Sequence, residues 1–134
     1  MRFAISTKGF TDIIDITDKI FKIVRDSKVK EGICLISSSG STCGITTIEY
    51  EGGVIKDLKR ILEKIAPMSE NYEHCKKWGD CNGYAHIRSA LIKPFLAVPV
   101  ENGKLVLGQW QNLVLIDFDN RPRDREVIVK VISE

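Results

Sequence analysis

Between Trp110 and Phe118 the chain is apolar on both faces of any strand it could form. Asn112, Val114 and Ile116 alternate there with Leu113, Leu115 and Asp117. A strand buried on both sides normally belongs to a parallel sheet clad in helices. The neighbouring sequence argues the other way, because short turns join successive strand-like runs and short turns make antiparallel pairs. Asn102-Gly103, set between apolar runs, is the clearest of these turns. Two helices of ordinary length cannot cover both faces of roughly seven strands, so a second sheet layer or a neighbouring subunit must cover the rest. The expectation is an α+β domain with antiparallel, sandwich-like sheets, two main helices and one short one.

The remaining elements follow from local pattern. Residues 2–7 and 11–16 read as strands around a Lys8-Gly9 turn. Thr17 reads as an N-cap with Asp18 behind it, and Ile20, Ile23 and Val24 supply the apolar stripe of a helix that stops at Asp26-Ser27. Strands are expected over 32–37 and 43–50, joined by the serine-rich turn 37–42 as a hairpin. Val54, Ile55, Leu58, Ile61, Leu62 and Ile65 repeat at helical spacing after Gly52-Gly53, and Pro67 ends that helix. From Met68 to Tyr84 the spacing predicts a loop, followed by a short helix from Ala85 to about Leu91. Strands over 95–100, 104–107, 110–118 and 126–132 complete one domain spanning residues 1–134.

Composition narrows the classes of function. A length of 134 residues, 43% of them apolar and 28% charged, can bury a core without structural cross-links. A net charge of +2, spread along the chain, leaves no footprint for nucleic acid. No apolar run approaches the ~20 residues that span a bilayer, and the N-terminus lacks a signal pattern. A cytoplasmic protein without membrane partners is expected. In a reducing cytosol Cys34, Cys43, Cys75 and Cys81 should be free thiols, with Cys34 and Cys43 on adjacent strands. Cys75 and Cys81 lack the C-x-x-C spacing of a structural zinc site.

Chemistry concentrates between His74 and His86, the only two histidines of the chain. Histidine titrates near physiological pH and is the commonest metal ligand. Between and beside the two lie Trp78, Gly79, Asp80, Asn82, Gly83 and Tyr84, groups that stack on or hydrogen-bond a ligand. The turn 37–44 offers hydroxyls and backbone N–H groups, among them Ser41 and Thr42, that can cradle a phosphate, and Arg88 adds a charge-assisted contact. Glu49 shares a pleat face with Ile45 and Thr47, and Gln111 shares one with Asp117.

Taken together, these segments resemble the YjbQ-like family, which carries the description secondary thiamine-phosphate synthase. The matching pieces are Ser6-Thr7-Lys8-Gly9, Asp12 to Thr17, Thr42-Cys43-Gly44-Ile45-Thr46 with Glu49, Tyr72-x-His74, Asn82-x-x-Ala85-His86-Ile87, Asn102 to Leu105, Gly108-x-Trp110-Gln111 and Asp117-Phe118-Asp119. The resemblance implies an α+β fold with orthogonal sheets, assembled as a homotrimer. It implies a transferase joining a pyrimidine diphosphate to a thiazole phosphate, with a divalent metal such as Mg2+ or Zn2+ open as cofactor. Glu49, His74 and His86 would be catalytic; Ser41, Thr42, Asn82, Arg88 and Gln111 would bind substrate. The chain departs from the family's His-Thr-Thr/Ser-Ala motif by placing Gly40 at the histidine position. A non-catalytic binding protein, or a metal-dependent hydrolase, for a small phosphorylated ligand is the alternative.

Overall fold

The computed structural model describes residues 1–134. Eight strands form two antiparallel sheets. The larger sheet contains β1 (Arg2–Thr7), β8 (Arg123–Ser133), β3 (Gly32–Ser38), β5 (Phe95–Glu101) and β6 (Lys104–Leu105), in that order. The smaller sheet runs β2 (Asp12–Asp15), β7 (Asn112–Asp117), β4 (Cys43–Ile48). Four helices accompany them: α1 (Thr17–Ser27), α2 (Gly52–Ile65), α3 (Glu73–Trp78) and α4 (Gly83–Ile92).

The doubly apolar strand is the middle strand of the smaller sheet. One face of β7 presents Leu113 and Leu115 to the larger sheet and α1, where they pack with Ile20, Ile36, Ile45, Val98, Val127 and Val129. Its other face presents Val114 and Ile116 to α2 and α4, where they meet Leu62, Tyr84, Ala85 and Phe118. The order of layers is therefore sheet, sheet, helices. A second sheet on one side and helices on the other satisfy an antiparallel strand as completely as two helical layers satisfy a parallel one.

Several local expectations are corrected. β3 and β4 lie in different sheets, so residues 39–42 of the expected turn form a crossing between layers and not a hairpin, and Ser37 and Ser38 belong to β3. Cys34 and Cys43 consequently are not on paired strands, although both are free and buried in the same core. Ile16, not Thr17, occupies the N-cap of α1; the Thr17 side chain instead bridges to β7, accepting the Leu113 N–H at 2.9 Å. β4 ends at Ile48, which leaves Glu49 beyond the strand. Glu51 caps α2 by accepting the N–H groups of Gly53 and Val54 at 2.7 and 3.0 Å.

The stretch read as a loop contains α3, and Cys75 is disulfide-bonded to Cys81 in place of the two free thiols expected. The physical reason is the turn after the helix. Gly79 and Cys81 both adopt positive φ, at 73° and 56°, and fold the chain back until the two Cα atoms are 4.3 Å apart. The Asn102-Gly103 turn is as expected: both residues have positive φ, the requirement of a tight hairpin, and they join β5 to β6.

Candidate functional site

The connection from β7 to β8 links the two sheets at one end of the molecule, and the charged side chains of Asp117, Asp119, Arg123 and Arg125 cluster around it. Asp117 shares its face of β7 with Leu113 and Leu115; Arg125 shares its face of β8 with Val127 and Val129. Two strands thus bring opposite charges to the inner side of the sandwich, where an unpaired charge would be very costly. Asp117, with no exposed side-chain surface, accepts Arg125 Nε at 2.9 Å and Nη2 at 2.8 Å, the Asp119 N–H at 3.0 Å and the Thr7 hydroxyl. Asp119, also fully buried, accepts Arg123 Nε and Nη2 at 3.0 and 2.7 Å. Thr42 joins the two pairs: its Oγ1 accepts Arg125 Nη2 at 2.7 Å and donates to Asp119 at 3.1 Å.

Burial by itself would raise the Asp119 carboxyl. The donors aimed at it, namely the Asn120 N–H, Asn82, Arg123 and Thr42, hold it down at about 2 instead. Asp119 is therefore an anion that only accepts, and this fixes its neighbours. Asn82 must turn Nδ2 toward Asp119, at 3.2 Å, and so presents Oδ1 to His74 Nε2 at 3.0 Å. His74 in turn must carry its proton on Nε2 to donate. An ordered chain runs from a buried carboxylate through an amide to an imidazole.

His86 completes it. The two imidazole rings lie 4.5 Å apart between centroids, tilted by 57°. Burial, then the neighbouring His74, lower the His86 pKa from its ordinary 6.5, while Asp119 and Asp80 oppose the shift. His86 also sits in the first turn of α4, where the N-terminal end of the helix disfavours an imidazolium. Its place beside His74 thus makes it a neutral acceptor at neutral pH. The unfolded chain holds a proton on this residue at pH values where the folded one does not. His86 therefore removes stability as pH falls below 6.5. In an NMR titration, the His86 ring protons should show a midpoint below 6.5; a midpoint above it would contradict this reading.

These groups surround a hollow of about 360 Å3. Gly40, Ser41 and Thr42 form one wall, His74, His86 and Trp78 another, and Arg123 and Arg125 line it with Asp119 and Asp80. No set of three or more His, Cys, Asp or Glu side chains converges there, or elsewhere, as a metal-ligand group. The residues do not fit a Zn2+ held by three or more protein ligands, and no step is assigned to a metal.

Of the residues singled out from sequence, His74, His86, Asn82, Ser41 and Thr42 meet in this hollow. Three others lie elsewhere. Glu49 is exposed at the far end of β4, roughly 20 Å from Thr42 at the ~3.3 Å rise of a strand. Gln111 is at that same end, bonded to the Gly108 N–H at 2.7 Å and to Thr47 at 3.2 Å. Arg88 is buried behind α4, where it donates to the Ala66 carbonyl, Thr11 and Glu63, so its role is to tie α2 and α4 together rather than to hold phosphate. The carboxylates that line the hollow with the two histidines are those of Asp119 and Asp80. His74 Nε2 is 3.5 Å from Asp80.

Sequence reasoning passed over Arg123 and Arg125. Their signal is present: Asp117-x-Asp119 and Arg123-x-Arg125 place like charges two apart on strand ends whose period matches the buried face. Opposite charges in register with an apolar face on successive strands mark a buried ion-pair network.

Comparison with known proteins shows what the whole chain is similar to. The family profile described as "UPF0047 protein YjbQ-like" matches residues 1–134. A UPF0047 protein of Archaeoglobus fulgidus is 35% identical over 132 residues, 98% of this chain and 100% of its own length. YugU of Bacillus subtilis, also a UPF0047 protein, is 30% identical over 130 residues, 96% of each chain. Among solved structures, a YbjQ-like protein of unknown function from Sulfolobus solfataricus superposes with a TM-score of 0.94 at 32% identity, covering 100% of this chain and 96% of the other. An uncharacterised protein of the family from Clostridium acetobutylicum gives 0.89 at 34% identity, with 98% and 99% covered.

Proposed function

This chain belongs to the YjbQ-like UPF0047 family over its whole length, and from that premise we propose that it transforms a small phosphorylated compound in the hollow beside His74 and His86. The reaction proposed is a transfer of the thiamine-phosphate synthase type. The observation that carries the reading is the ordered line Asp119–Asn82–His74 ending beside a neutral His86, with guanidinium and hydroxyl groups across the same hollow.

The chemistry needs little covalent help. The ring nitrogen of a thiazole phosphate forms a C–N bond to the methylene carbon of a pyrimidine diphosphate, the methylene C–O bond breaks, and its electron pair leaves on pyrophosphate. Exposed Trp78 offers a stacking face for the pyrimidine at the rim. Neutral His86 accepts a hydrogen bond from the pyrimidine's exocyclic amine, which feeds electron density toward the departing group. Arg123 Nη1 makes no bond within the protein, and with the Ser41 hydroxyl it can hold the leaving phosphates.

Hydrolysis of a small phosphorylated compound is the second reading. The neutral state of His86 favours it, since a base on an attacking water must be unprotonated. One experiment separates the two. With both precursors present, thiamine phosphate should accumulate, and His86→Ala should slow it by about 100-fold or more. Absence of product above a protein-free control would remove the transferase reading. Release of phosphate from the diphosphate alone would support hydrolysis instead.

Assembly as a homotrimer is part of the same proposal. It is supported by the outer face of the larger sheet, where Ile33 and Ile132 are cross-strand neighbours, 51% and 58% exposed, and Phe95, opposite Ser37 further along β3, is 51% exposed.

A further inference from the structure

We propose that Gly40 and the free Nη1 of Arg125 form an oxyanion subsite in the hollow, one that takes a phosphate group on that pinned N–H donor. It rests on the reading of this hollow as a substrate site and adds which residues choose the ligand.

Arg125 is the reason. Its side chain is only 10% exposed, and its Nε and Nη2 are fully used by Asp117 and Thr42. Nη1 has no hydrogen-bond partner in the protein, yet it is not among the polar atoms sealed from solvent without one. The residue lines the hollow, and Nη1 is the atom nearest to Gly40. A guanidinium pinned on one edge and open on another is ready to receive an anion without further ordering, because its orientation is already set.

Gly40 keeps that edge open. A β-carbon built on it would lie 2.8 Å from Arg125 Nη1 and 3.0 Å from Cys43 Sγ. Nη1 is the far end of a long side chain, but this one is held by Asp117 and cannot easily withdraw. Gly40 does not have positive φ, so nothing in its backbone calls for glycine. What glycine provides here is space. The N–H groups of Ser41 and Thr42, which make no backbone hydrogen bond, lie on the same wall. The carboxylates of Asp117 and Asp119 engage the other edges of the two guanidiniums, leaving both Nη1 groups free of protein partners. An anionic ligand oxygen matches a cationic N–H donor left without a carboxylate of its own.

Titration calorimetry of the whole chain with inorganic phosphate tests the subsite, with circular dichroism to verify folding. Wild type should bind. Gly40→Ala should weaken binding by at least tenfold while the fold is kept, and Ser41→Ala should weaken it less. Arg125→Lys keeps the charge but removes Nη1, and it too should lose at least tenfold; it decides the matter if Gly40→Ala fails to fold. Phosphate binding that is absent from wild type, or unchanged in Gly40→Ala and Arg125→Lys, overturns the proposal. Phosphate binding that responds as described, without turnover of the diphosphate, keeps the subsite and removes the transferase reading. Turnover whose KM is unchanged in Gly40→Ala does the reverse.

Discussion

Asp117→Ala should lower the unfolding free energy by about 3–5 kcal/mol, the loss associated with stranding a buried charge. Asp117 has no exposed side-chain surface and accepts four hydrogen bonds, two of them from Arg125. Removing the carboxylate leaves a guanidinium that is 10% exposed, with the Thr42 hydroxyl and the Asp119 carboxylate, 3.8 Å away and already engaged by Arg123, as its remaining partners. Such a loss is a large share of the 5–15 kcal/mol that stabilises a typical domain. Urea unfolding of wild type and variant measures it directly. The same experiment on Asp117→Leu with Arg125→Met should show a smaller loss than Asp117→Ala alone, because an apolar pair leaves no charge unmatched. A loss below about 1 kcal/mol for Asp117→Ala would mean that Arg125 finds water or another partner, and that the ion pair does not hold the two sheets at this end.

Leu115→Ala should cost about 2–5 kcal/mol, the range for removing a buried leucine side chain from a packed core. Leu115 is wholly buried, its strand is paired on both sides to Ile14 and Ile45, and its side chain fills the space between the two sheets. The neighbouring strands are held in register by ladders on either side of β7, so collapse around the cavity would be limited and the cost should fall toward the upper half of the range. Ile132→Ala makes a useful contrast. At 58% exposure in a single copy it should change stability by less than about 0.5 kcal/mol, provided that this face remains open. A larger, concentration-dependent loss at Ile132 would instead show that copies of the chain cover that face.

The structure brings two imidazoles, an amide and a buried carboxylate together, and leaves Glu49 at the opposite end of the smaller sheet. The difference has a simple cause. The resemblance names Glu49 near the end of a strand, and a strand has two ends separated by its full length. Which end faces the histidines depends on how β4 is laid into its sheet. Antiparallel pairing with β7 sets Thr42 and Cys43 beside Asp117 and sends Ile48 to Asn112. Gln111 was displaced for the same reason.

What local chemistry dictated is clear in particular residues. The alternation in 112–117 demanded cover on both faces, Asn102-Gly103 demanded a hairpin, and the stripe Ile55, Leu58, Leu62 demanded a helix resting on a sheet. Each is a consequence of side-chain period or backbone φ within a few residues, which a chain carries wherever it folds. Which sheet each strand joins, which end of β4 meets His86, and whether Arg88 or Arg125 reaches the hollow depend on contacts between residues tens of positions apart. Thr42 and Arg125 are separated by 83 positions and Thr7 and Asp117 by 110, yet they share one ion-pair network. No local preference encodes such meetings. They are decided when two sheets close over a common core and bury the charges that happen to share their inner faces.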